Sequence, residues 1–385
     1  MYGGAFEFSG ERFDATYRLF GPKDEALGTA KAIAVEQTIE FPLDLVDGPI
    51  AAHVVGRLTG FEEGEPGSFD ATISYALESA GAELTQFLNV LFGNSSLLPR
   101  IRLMRVRLSP GLARRHAGPR HGRGGVRALV GADDGPLLAT ALKPMGLGAN
   151  ALAGMAYELA LGGIDLIKDD HGLADQPFAA FAERLEKCVS AVERGRRDGG
   201  TRAVYVPNVT APGGETLERA RLARAAGAGA LLVAPGLVGF DRMEELAREV
   251  GLPIISHPAF LGGFVAGECS GIDHYALFGQ LQRLAGADVV VFPNYGGRFS
   301  FSQSECRRIV RGVADDLAGL APILPAPGGG MTLARTAELL EFYGDDVVFL
   351  IGGDLHRGAA GLAANARALR DKVEERRAGR RLSAG

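Results

Sequence analysis

Residues 137–171, LLATALKPMGLGANALAGMAYELALGGIDLIKDDH, contain two short apolar runs separated by a longer segment with helical spacing of its apolar residues. The runs show little alternation of polar and apolar residues, which is typical of strands buried on both faces of a parallel sheet. A helix between two such strands makes a β-α-β unit. The stretch therefore predicts an α/β fold, with a polar cluster from Lys168 to His171 at the end of its second strand.

The same rhythm continues toward the C-terminus. Six further apolar runs follow, separated by segments of helical periodicity: RAVYVPNV (202–209), GALLVAPG (229–236), PIISHPAF (253–260), DVVVFPN (288–294), PILPAPGG (322–329) and VVFLIGGD (347–354). Eight such units in about 250 residues match a closed (β/α)₈ TIM barrel. The alternative is an open doubly wound sheet, but no G-x-G-x-x-G motif follows the first strand, and this favours the barrel.

The N-terminal part of the chain lacks this rhythm. Strand patterns occur in FDATYRLF (13–20), HVVGRL (53–58), ATISYAL (71–77) and RIRLMRVRL (100–108), and helical patterns in EALGTAKAIAVEQ (25–37) and ELTQFLNVLFG (83–93). Such a mixture predicts a small α+β, ferredoxin-like domain. We place it at residues 1–122 and the barrel at 123–385, with AGPRHGRGG (117–125) as the linker.

Composition excludes several classes of protein. The net charge is −5, and the short basic run from Arg114 to Arg127 is interpreted as a solvated linker, so no nucleic-acid partner is expected. No apolar stretch reaches 18 residues and the N-terminal segment has no apolar signal region, so no membrane association is expected. Three cysteines without C-x-x-C spacing suit a reducing cytoplasm.

Polar side chains end several of the predicted strands. Lys143 ends the first, the cluster from Lys168 to His171 the second, Asn208 the third and His257 the fifth. Barrel enzymes carry their chemistry at this edge, and Mg²⁺ prefers carboxylate and other oxygen ligands. A lysine beside two aspartates could pair with them, act as a base, or carry a carbamate that adds an oxygen donor. The alternative is an exposed turn with a salt bridge, which the position at a barrel strand end disfavours.

Two strand ends are rich in glycine. Strand seven runs into Gly328, Gly329 and Gly330, and strand eight into Gly352 and Gly353. Backbone N–H groups of such loops approach phosphate oxygens closely, and barrel enzymes often bind phosphate after these two strands. Ordinary tight turns are the alternative. Because both loops are glycine-rich, we favour a phosphate site.

These motifs together resemble the large chain of ribulose-bisphosphate carboxylase (RuBisCO) and its RuBisCO-like relatives. The segment from Thr140 to Phe178 is similar to the start of that family's barrel, with its patterns KPK, GGxDFxKDDE and QPF. The resemblance extends nearly end to end, through FDATYRLF, AVEQT (34–38), FGN (92–94), YVPNVTA (205–211), ISHPAF (255–260), PAPGGG (325–330) and LIGG (350–353).

The resemblance implies roles for individual residues. Lys168 would be the carbamylated lysine that binds Mg²⁺, with Asp170 and His171 as the other protein ligands. Lys143 would stabilise an enediolate or move protons, and Asn208 would lie near the metal. His257 would face the substrate.

The resemblance also implies how substrate and subunits are bound. Gly328, Gly329, Gly352 and Gly353 would hold a sugar phosphate. Glu36 and Asn94 would reach the site of a second subunit, so a homodimer or a dimer-based oligomer with shared sites is expected.

Several positions depart from the family pattern. The family's metal-ligand Glu is His171 here, which removes a negative charge and should weaken Mg²⁺ or shift the metal preference. The second Lys of KPK is Met145, and the Arg after the strand-five His is Pro258. The strand-six His is missing, because Val291 or Phe292 stands there, and no mobile-loop lysine is evident unless Arg298 replaces it.

These departures narrow the expected reaction. Without the lysine that polarises CO₂, a carbon-fixing carboxylase is not expected, and without the second phosphate site we expect a monophosphate substrate. A metal-stabilised enolate remains available. We predict a lyase that decarboxylates or cleaves a C–C bond of a 3-oxo sugar-acid phosphate, of the 3-oxo-isoapionate 4-phosphate type, in carbohydrate catabolism. The alternatives are an enolase or isomerase of a methylthio-ketose phosphate in methionine salvage, and a non-catalytic binding protein.

Overall fold

The described chain forms an eight-stranded parallel barrel and a separate N-terminal sheet. The computed structural model describes residues 6–384 except 47, 300 and 359. The strands are β1 (Arg12–Phe20), β2 (Arg57–Glu63), β3 (Ser68–Ala76), β4 (Ile101–Arg107), β5 (Leu137–Leu142), β6 (Leu166–Asp169), β7 (Val204–Val206), β8 (Leu231–Val233), β9 (Ile254–Ser256), β10 (Gly271–Ile272), β11 (Val289–Pro293), β12 (Leu324–Gly328) and β13 (Val348–Leu350).

Helices connect these strands. The α-helices are α1 (Lys23–Glu36), α2 (Leu77–Ala80), α3 (Leu84–Phe92), α4 (Pro110–Arg115), α5 (Gly122–Leu129), α6 (Ala149–Leu161), α7 (Phe181–Gly199), α8 (Glu215–Ala226), α9 (Pro235–Val238), α10 (Phe240–Glu249), α11 (Gly262–Val265), α12 (Gln282–Leu284), α13 (Gln303–Ala314), α14 (Thr336–Tyr343) and α15 (Leu362–Ala384). Short 3₁₀ helices lie at Leu43–Leu45, Asn94–Leu97, Leu333–Arg335 and Gly353–His356, and π-helices at Ile50–Val54 and Tyr275–Leu281.

All eight apolar runs become barrel strands, in the order β7-β6-β5-β13-β12-β11-β9-β8. The two ends of this order meet through a parallel bridge between Asn208 and Leu232, so the predicted closed barrel is confirmed. Alternate residues of each strand, such as Leu137 and Ala139 of β5, pack in a cluster inside the barrel. Their neighbours, such as Leu138, pack outward in the larger core. This alternation decides which side chains reach the barrel axis.

The N-terminal domain confirms the predicted α+β class. Strands β1 to β4 pair antiparallel in the order β4-β1-β3-β2, with α1 after β1 and α3 after β3, which is the ferredoxin-like arrangement. Phe13, Ala15, Tyr17 and Leu19 lie buried on one face of β1, as their alternation predicts. The short strand β10, from the barrel part of the chain, pairs parallel with β4 and adds a fifth strand to the N-terminal sheet.

Two local predictions were wrong. HVVGRL was expected to be a strand, but a π-helix ends at Val54 and β2 begins at Arg57. The guanidinium of Arg12 donates to the backbone oxygens of His53 and Val55, which removes these carbonyls from sheet pairing. The glycine-rich linker is partly helical, because α5 begins at Gly122 and its Val126 packs against the barrel interior.

The domain boundary at 122/123 stays a prediction. Within the described ranges, no helix is both long and apolar enough to cross a membrane.

Candidate active site

The alternation of the barrel strands brings the predicted site residues to one cavity. Leu166 of β6 points into the barrel, so Lys168 and Asp170, two and four residues later, also point toward the axis. The same parity brings Lys143 after β5 and His257 after β9 to the same end. These four residues line a cavity of about 670 Å³ at the carboxyl ends of the strands.

Lys168 is buried at the base of this cavity. Its side chain is 3% exposed, and Nζ donates to the backbone oxygen of Asp169 at 3.0 Å. Burial lowers the pKa of Lys168 to about 8, while Asp170 raises it and Lys143 lowers it further. A larger fraction of this amine is therefore neutral at a given pH than for an exposed lysine, and the neutral amine is the form that reacts with CO₂.

Asp170 connects the charged groups of the site. Its Oδ1 lies 2.8 Å from Lys143 Nζ and 3.4 Å from His171 Nδ1. Burial would raise the pKa of Asp170, but the contacts with His171 and Lys143 outweigh it and hold the pKa well below its usual range. Asp170 is thus a carboxylate throughout the physiological pH range.

His257 lies against this group. Its ring stacks on that of His171 with centroids 4.1 Å apart, and its Nδ1 accepts a hydrogen bond from the Ala259 N–H at 3.2 Å. Burial, then the neighbouring Lys168 and His171, lower the pKa of His257 to about 2. The imidazole is therefore neutral, and because Nδ1 accepts, the proton resides on Nε2.

The side chains of this cavity supply few donors for a metal ion such as Mg²⁺. Within residues 6–384, leaving out the three undescribed positions, no three His, Cys, Asp or Glu side chains converge in a way suited to a metal ion. Asp170 and His171 are adjacent and supply two donors, so a third must come from elsewhere. A carbamate on the buried Lys168 would supply it, and the set would then offer two oxygen donors, as Mg²⁺ requires, and one nitrogen donor that weakens the preference for Mg²⁺.

The two glycine-rich strand ends border the same cavity. Gly328, Gly329, Gly352 and Gly353 line it. Gly329 has φ of +77°, which side-chain-bearing residues rarely adopt, and a Cβ on Gly328 would lie 2.9 Å from a Leu350 methyl carbon. No atom lies within 4 Å of a Cβ built on Gly352 or Gly353, so the space beside these two residues is open. The geometry suits a phosphate, and this role stays a prediction.

A buried network below the site was not foreseen from the sequence. Asp169 alternates away from the axis and receives hydrogen bonds from Arg184 Nε at 3.2 Å, Tyr205 Oη at 2.6 Å and the Asn208 N–H at 3.0 Å. Both Asp169 and Arg184 are 0% exposed. One feature of the sequence could have indicated this network: Arg184 occupies a position on the apolar face of α7, and a buried arginine needs an anionic partner.

Asn208 belongs to this network. Its side-chain amide donates to the backbone oxygens of His171 and Leu173 at 3.0 and 2.9 Å. These contacts hold the loop that carries the donors Asp170 and His171. Asn208 is 1% exposed and is not among the residues that line the cavity, so its expected place near the metal stays a prediction.

Glu36 and Asn94 lie together on the N-terminal domain. Asn94 Nδ2 donates to Glu36 Oε1 at 3.0 Å although the two are 58 positions apart in sequence. Neither residue lines the cavity of its own chain. Their expected action in the site of a partner subunit stays a prediction.

Four further residues that line the cavity carry charged or aromatic side chains. Arg298, Phe301 and Glu305 follow β11, and His274, which the sequence gave no reason to consider catalytic, follows β10. Arg298 lies over the Phe299 ring at 5.0 Å, and Phe299 in turn lies 3.5 Å from a Cβ built on Gly329. Arg298 is thus placed on the side of the glycine loops.

Known proteins of related sequence align with most of this chain. The ribulose bisphosphate carboxylase large chain, catalytic domain, matches residues 125–384. The chain is 38% identical to the 5-methylthioribulose-1-phosphate isomerase of Rhodospirillum rubrum, over 90% of this chain and 91% of that protein. It is 32% identical to the 2,3-diketo-5-methylthiopentyl-1-phosphate enolase of Geobacillus thermodenitrificans, over 96% of this chain and 93% of that protein.

Solved structures agree with this match. The RuBisCO-like protein of Rhodopseudomonas palustris superposes with a TM-score of 0.83 at 40% identity, covering 94% of this chain and 98% of that one. The dimeric archaeal RuBisCO of Hyperthermus butylicus superposes with a TM-score of 0.85 at 26% identity, covering 97% and 92% of the two chains.

Proposed function

Because the chain belongs to the RuBisCO large-chain family, we propose that it is an enzyme that enolises a ketose monophosphate and relocates a proton between neighbouring carbons. One observation carries the proposal. Lys143, Asp170 and His257 converge beside buried Lys168 in a single cavity, and two glycine-rich loops border that cavity. A phosphate on the loops would hold a sugar carbonyl over the charged group.

Lys143, His257 and the metal-donor residues have different roles in the proposed reaction. Lys143 Nζ, directed at Asp170, stabilises negative charge on the substrate oxygen and exchanges a proton with the enolate carbon. His257 offers its Nε2–H to a second substrate oxygen. Asp170, His171 and a carbamate on Lys168 would hold Mg²⁺, which when bound supplies positive charge beside the carbonyl and acidifies the adjacent C–H.

We propose proton transfer in preference to decarboxylation. Two relatives that align over at least nine-tenths of their length are named as an isomerase and an enolase of methylthio-substituted sugar phosphates. The decarboxylase predicted from the sequence stays the second candidate. Arg298 favours it, because a cation beside the glycine loops could bind the carboxylate of a 3-oxo sugar acid as well as a phosphate.

We further propose that the site is completed by a second copy of the chain. Glu36 and Asn94 are hydrogen-bonded to each other, and neither lines the cavity of its own chain. A face-to-face dimer would let this pair enter the partner's cavity. In a two-fold symmetric dimer such an exchange is mutual, so each cavity would receive this pair from the other chain.

The test uses NMR in D₂O with Mg²⁺ and bicarbonate. 5-Methylthioribulose 1-phosphate and a 3-oxo sugar-acid monophosphate are supplied separately. We expect solvent deuterium to enter the first compound beside its carbonyl, without release of CO₂. Lys168→Met should abolish the exchange, whereas Lys187→Met, at a lysine paired on the surface with Glu183, should leave it unchanged.

Other outcomes would change the assignment. CO₂ release from the sugar acid, with no exchange in the ketose, would establish the decarboxylase instead. Inactivity toward both compounds, with full binding of each, would favour the non-catalytic binding protein.

A further inference from the structure

The proposed proton transfer needs a group that accepts the proton from the substrate carbon. Lys143 Nζ lies 2.8 Å from the Asp170 carboxylate, an arrangement that favours the ammonium form of the lysine. His257 Nδ1 already accepts the Ala259 N–H, so this ring presents an N–H to the substrate. Both groups are therefore proton donors, and a base is required elsewhere in the cavity.

His274 is a buried imidazole on the wall of the same cavity. It is 1% exposed, and neither ring nitrogen has a hydrogen-bond partner among the described residues. Buried polar atoms are nearly always satisfied, so two unsatisfied nitrogens beside a cavity indicate a polar group that arrives with a ligand. Burial lowers the pKa of His274, so the imidazole is neutral and one of its nitrogens can accept a proton.

Two aromatic side chains fix the position of this ring. Phe301 meets the His274 ring edge-on, with centroids 4.6 Å apart and an interplanar angle of 87°. The ring of Phe278, itself 1% exposed, lies 6.2 Å from His274 on α13's neighbour, the π-helix Tyr275–Leu281. Packing therefore holds the imidazole against the cavity wall and leaves its nitrogens for a substrate.

A fixed carboxylate lies beside His274. Glu305 belongs to the capping box of α13, where its Oε2 accepts hydrogen bonds from the N–H and hydroxyl of Ser302 at 2.7 and 2.8 Å. Its Oε1 lies 3.9 Å from His274 Nε2. Burial would raise the pKa of Glu305, but the Ser302 hydrogen bonds and His274 lower it overall, so it is ionised. A carboxylate so placed stabilises the imidazolium that forms when a histidine takes up a proton.

Three further charged groups act on His274. Asp273, the preceding residue, is 2% exposed, and its Oδ2 lies 3.3 Å from Arg308 Nε on α13. Arg102 belongs to β4 of the N-terminal sheet. After burial, the two carboxylates, first Glu305 and then Asp273, raise the pKa of His274, and the two arginines lower it. Because Asp273 is paired with Arg308, Glu305 is the carboxylate that acts most strongly on the imidazole.

We propose that His274 is the catalytic base that removes the substrate proton, that Glu305 is its positioning residue, and that Lys143 returns a proton to the neighbouring carbon. The inference rests on the proposed function, since it places the phosphate on the glycine loops. In the order of the barrel strands, these loops follow β12 and β13, Lys143 follows β5, and His274 lies between β9 and β11. A substrate held on the loops is thus flanked by a base on one side and an acid on the other.

The two steps conserve protons and electrons. His274 takes the proton as the C–H bond beside the carbonyl breaks, the pair of that bond forms the C=C bond, and the carbonyl π pair moves to its oxygen. The Lys143 ammonium then protonates the former carbonyl carbon, while the proton of the neighbouring hydroxyl passes to the former carbonyl oxygen. The imidazolium releases its proton to solvent and Lys143 takes one up, which restores both groups.

The test measures deuterium exchange from both sides of the reaction. 5-Methylthioribulose 1-phosphate, and the isomerised product that the wild type forms from it, are incubated separately in D₂O with Mg²⁺ and bicarbonate and followed by NMR. His274→Phe keeps an aromatic ring in the packed site, and it should lower deuterium entry into the substrate about 100-fold or more. Deuterium entry into the product should change less than about threefold, because Lys143 handles the proton on that side.

A second variant tests the carboxylate. Glu305→Gln keeps an acceptor for Ser302 but removes the negative charge that raises the pKa of His274. With that pKa lowered further, the pH below which exchange into the substrate declines should move downward, and the exchange rate above that pH should fall about tenfold. Glu186→Gln, the same change at an exposed position of α7, is the matched control and should alter neither quantity.

Specific results would overturn the inference. If His274→Phe lowers exchange equally from both sides, or from neither, His274 is not the base and the proposed function stands. If the pH profile of Glu305→Gln matches that of the wild type, Glu305 has no positioning role. If the wild type exchanges no deuterium into the ketose phosphate, the proposed function and the inference both fall.

Discussion

Replacing Asp169 by Asn should destabilise the protein strongly, although this residue never faces the substrate. Asp169 and Arg184 form an ion pair in which both side chains are 0% exposed. The asparagine has nearly the same shape, so packing is preserved. The variant leaves the Arg184 guanidinium charged and buried without its counter-ion, and it offers one amide donor where Tyr205 and Asn208 require acceptors.

The size of the effect follows from these contacts. Removing one partner of a buried pair costs about 3–5 kcal/mol, which lowers the melting temperature by about 6–10 °C for a domain of this size. Arg184 keeps hydrogen bonds to the backbone oxygens of Ala174 and Ala179, at 2.8 and 2.5 Å. Because these contacts still satisfy part of the guanidinium, we expect a loss at the lower end of that range.

Scanning calorimetry at pH 7 and one fixed protein concentration provides the measurement. Asp371→Asn, on the exposed face of α15, is the matched control and should melt like the wild type. Combining Asp169→Asn with Arg184→Met removes the orphaned charge and should recover part of the loss, because a buried pair is more costly to break than to delete. The reasoning would be refuted if Asp169→Asn lowered the melting temperature by less than about 2 °C. It would also be refuted if the double variant melted no higher than the single variant.

Asn208→Ala should release the loop that carries Asp170 and His171, and it should lower the melting temperature by about 2–6 °C. It should also raise the Mg²⁺ concentration needed for half-maximal activity. An unchanged Mg²⁺ requirement would argue against a positioning role for Asn208. Mixed dimers of inactive Glu36→Gln and Lys168→Met chains should regain about a quarter of wild-type activity, since half the dimers carry one intact site; no recovery would exclude shared sites. Burial would raise the pKa of Glu244, but hydrogen bonds, first that from His116, lower it below 4.5. The stabilisation from the ionised Glu244 is therefore complete above pH 4.5, and it is lost as the pH falls through the pKa of Glu244 in the folded protein. Glu244→Gln should thus make the melting temperature fall less steeply on acidification. An equally steep fall in the variant would contradict a lowered pKa.

The sequence by itself determined the barrel and the edge of the barrel at which the site lies. Strands buried on both faces leave apolar runs that are visible without a structure, and chain order fixes which ends are carboxyl ends. Lys143, the cluster from Lys168 to Asp170 and His257 could therefore be assigned to one edge. The sequence pattern failed at HVVGRL, because the pairing there was decided by the distant guanidinium of Arg12.

Tertiary structure alone decided what each of these side chains does. Barrel alternation turned Asp169 away from the axis toward Arg184 and directed its neighbours Lys168 and Asp170 into the cavity. Asn208 was drawn to the loop that carries Asp170 and His171, and His274 and Glu305 were brought to the wall of the cavity. Such contacts join segments far apart in the chain, and they depend on barrel closure and on the twist between strands, which leave no periodic trace in the sequence.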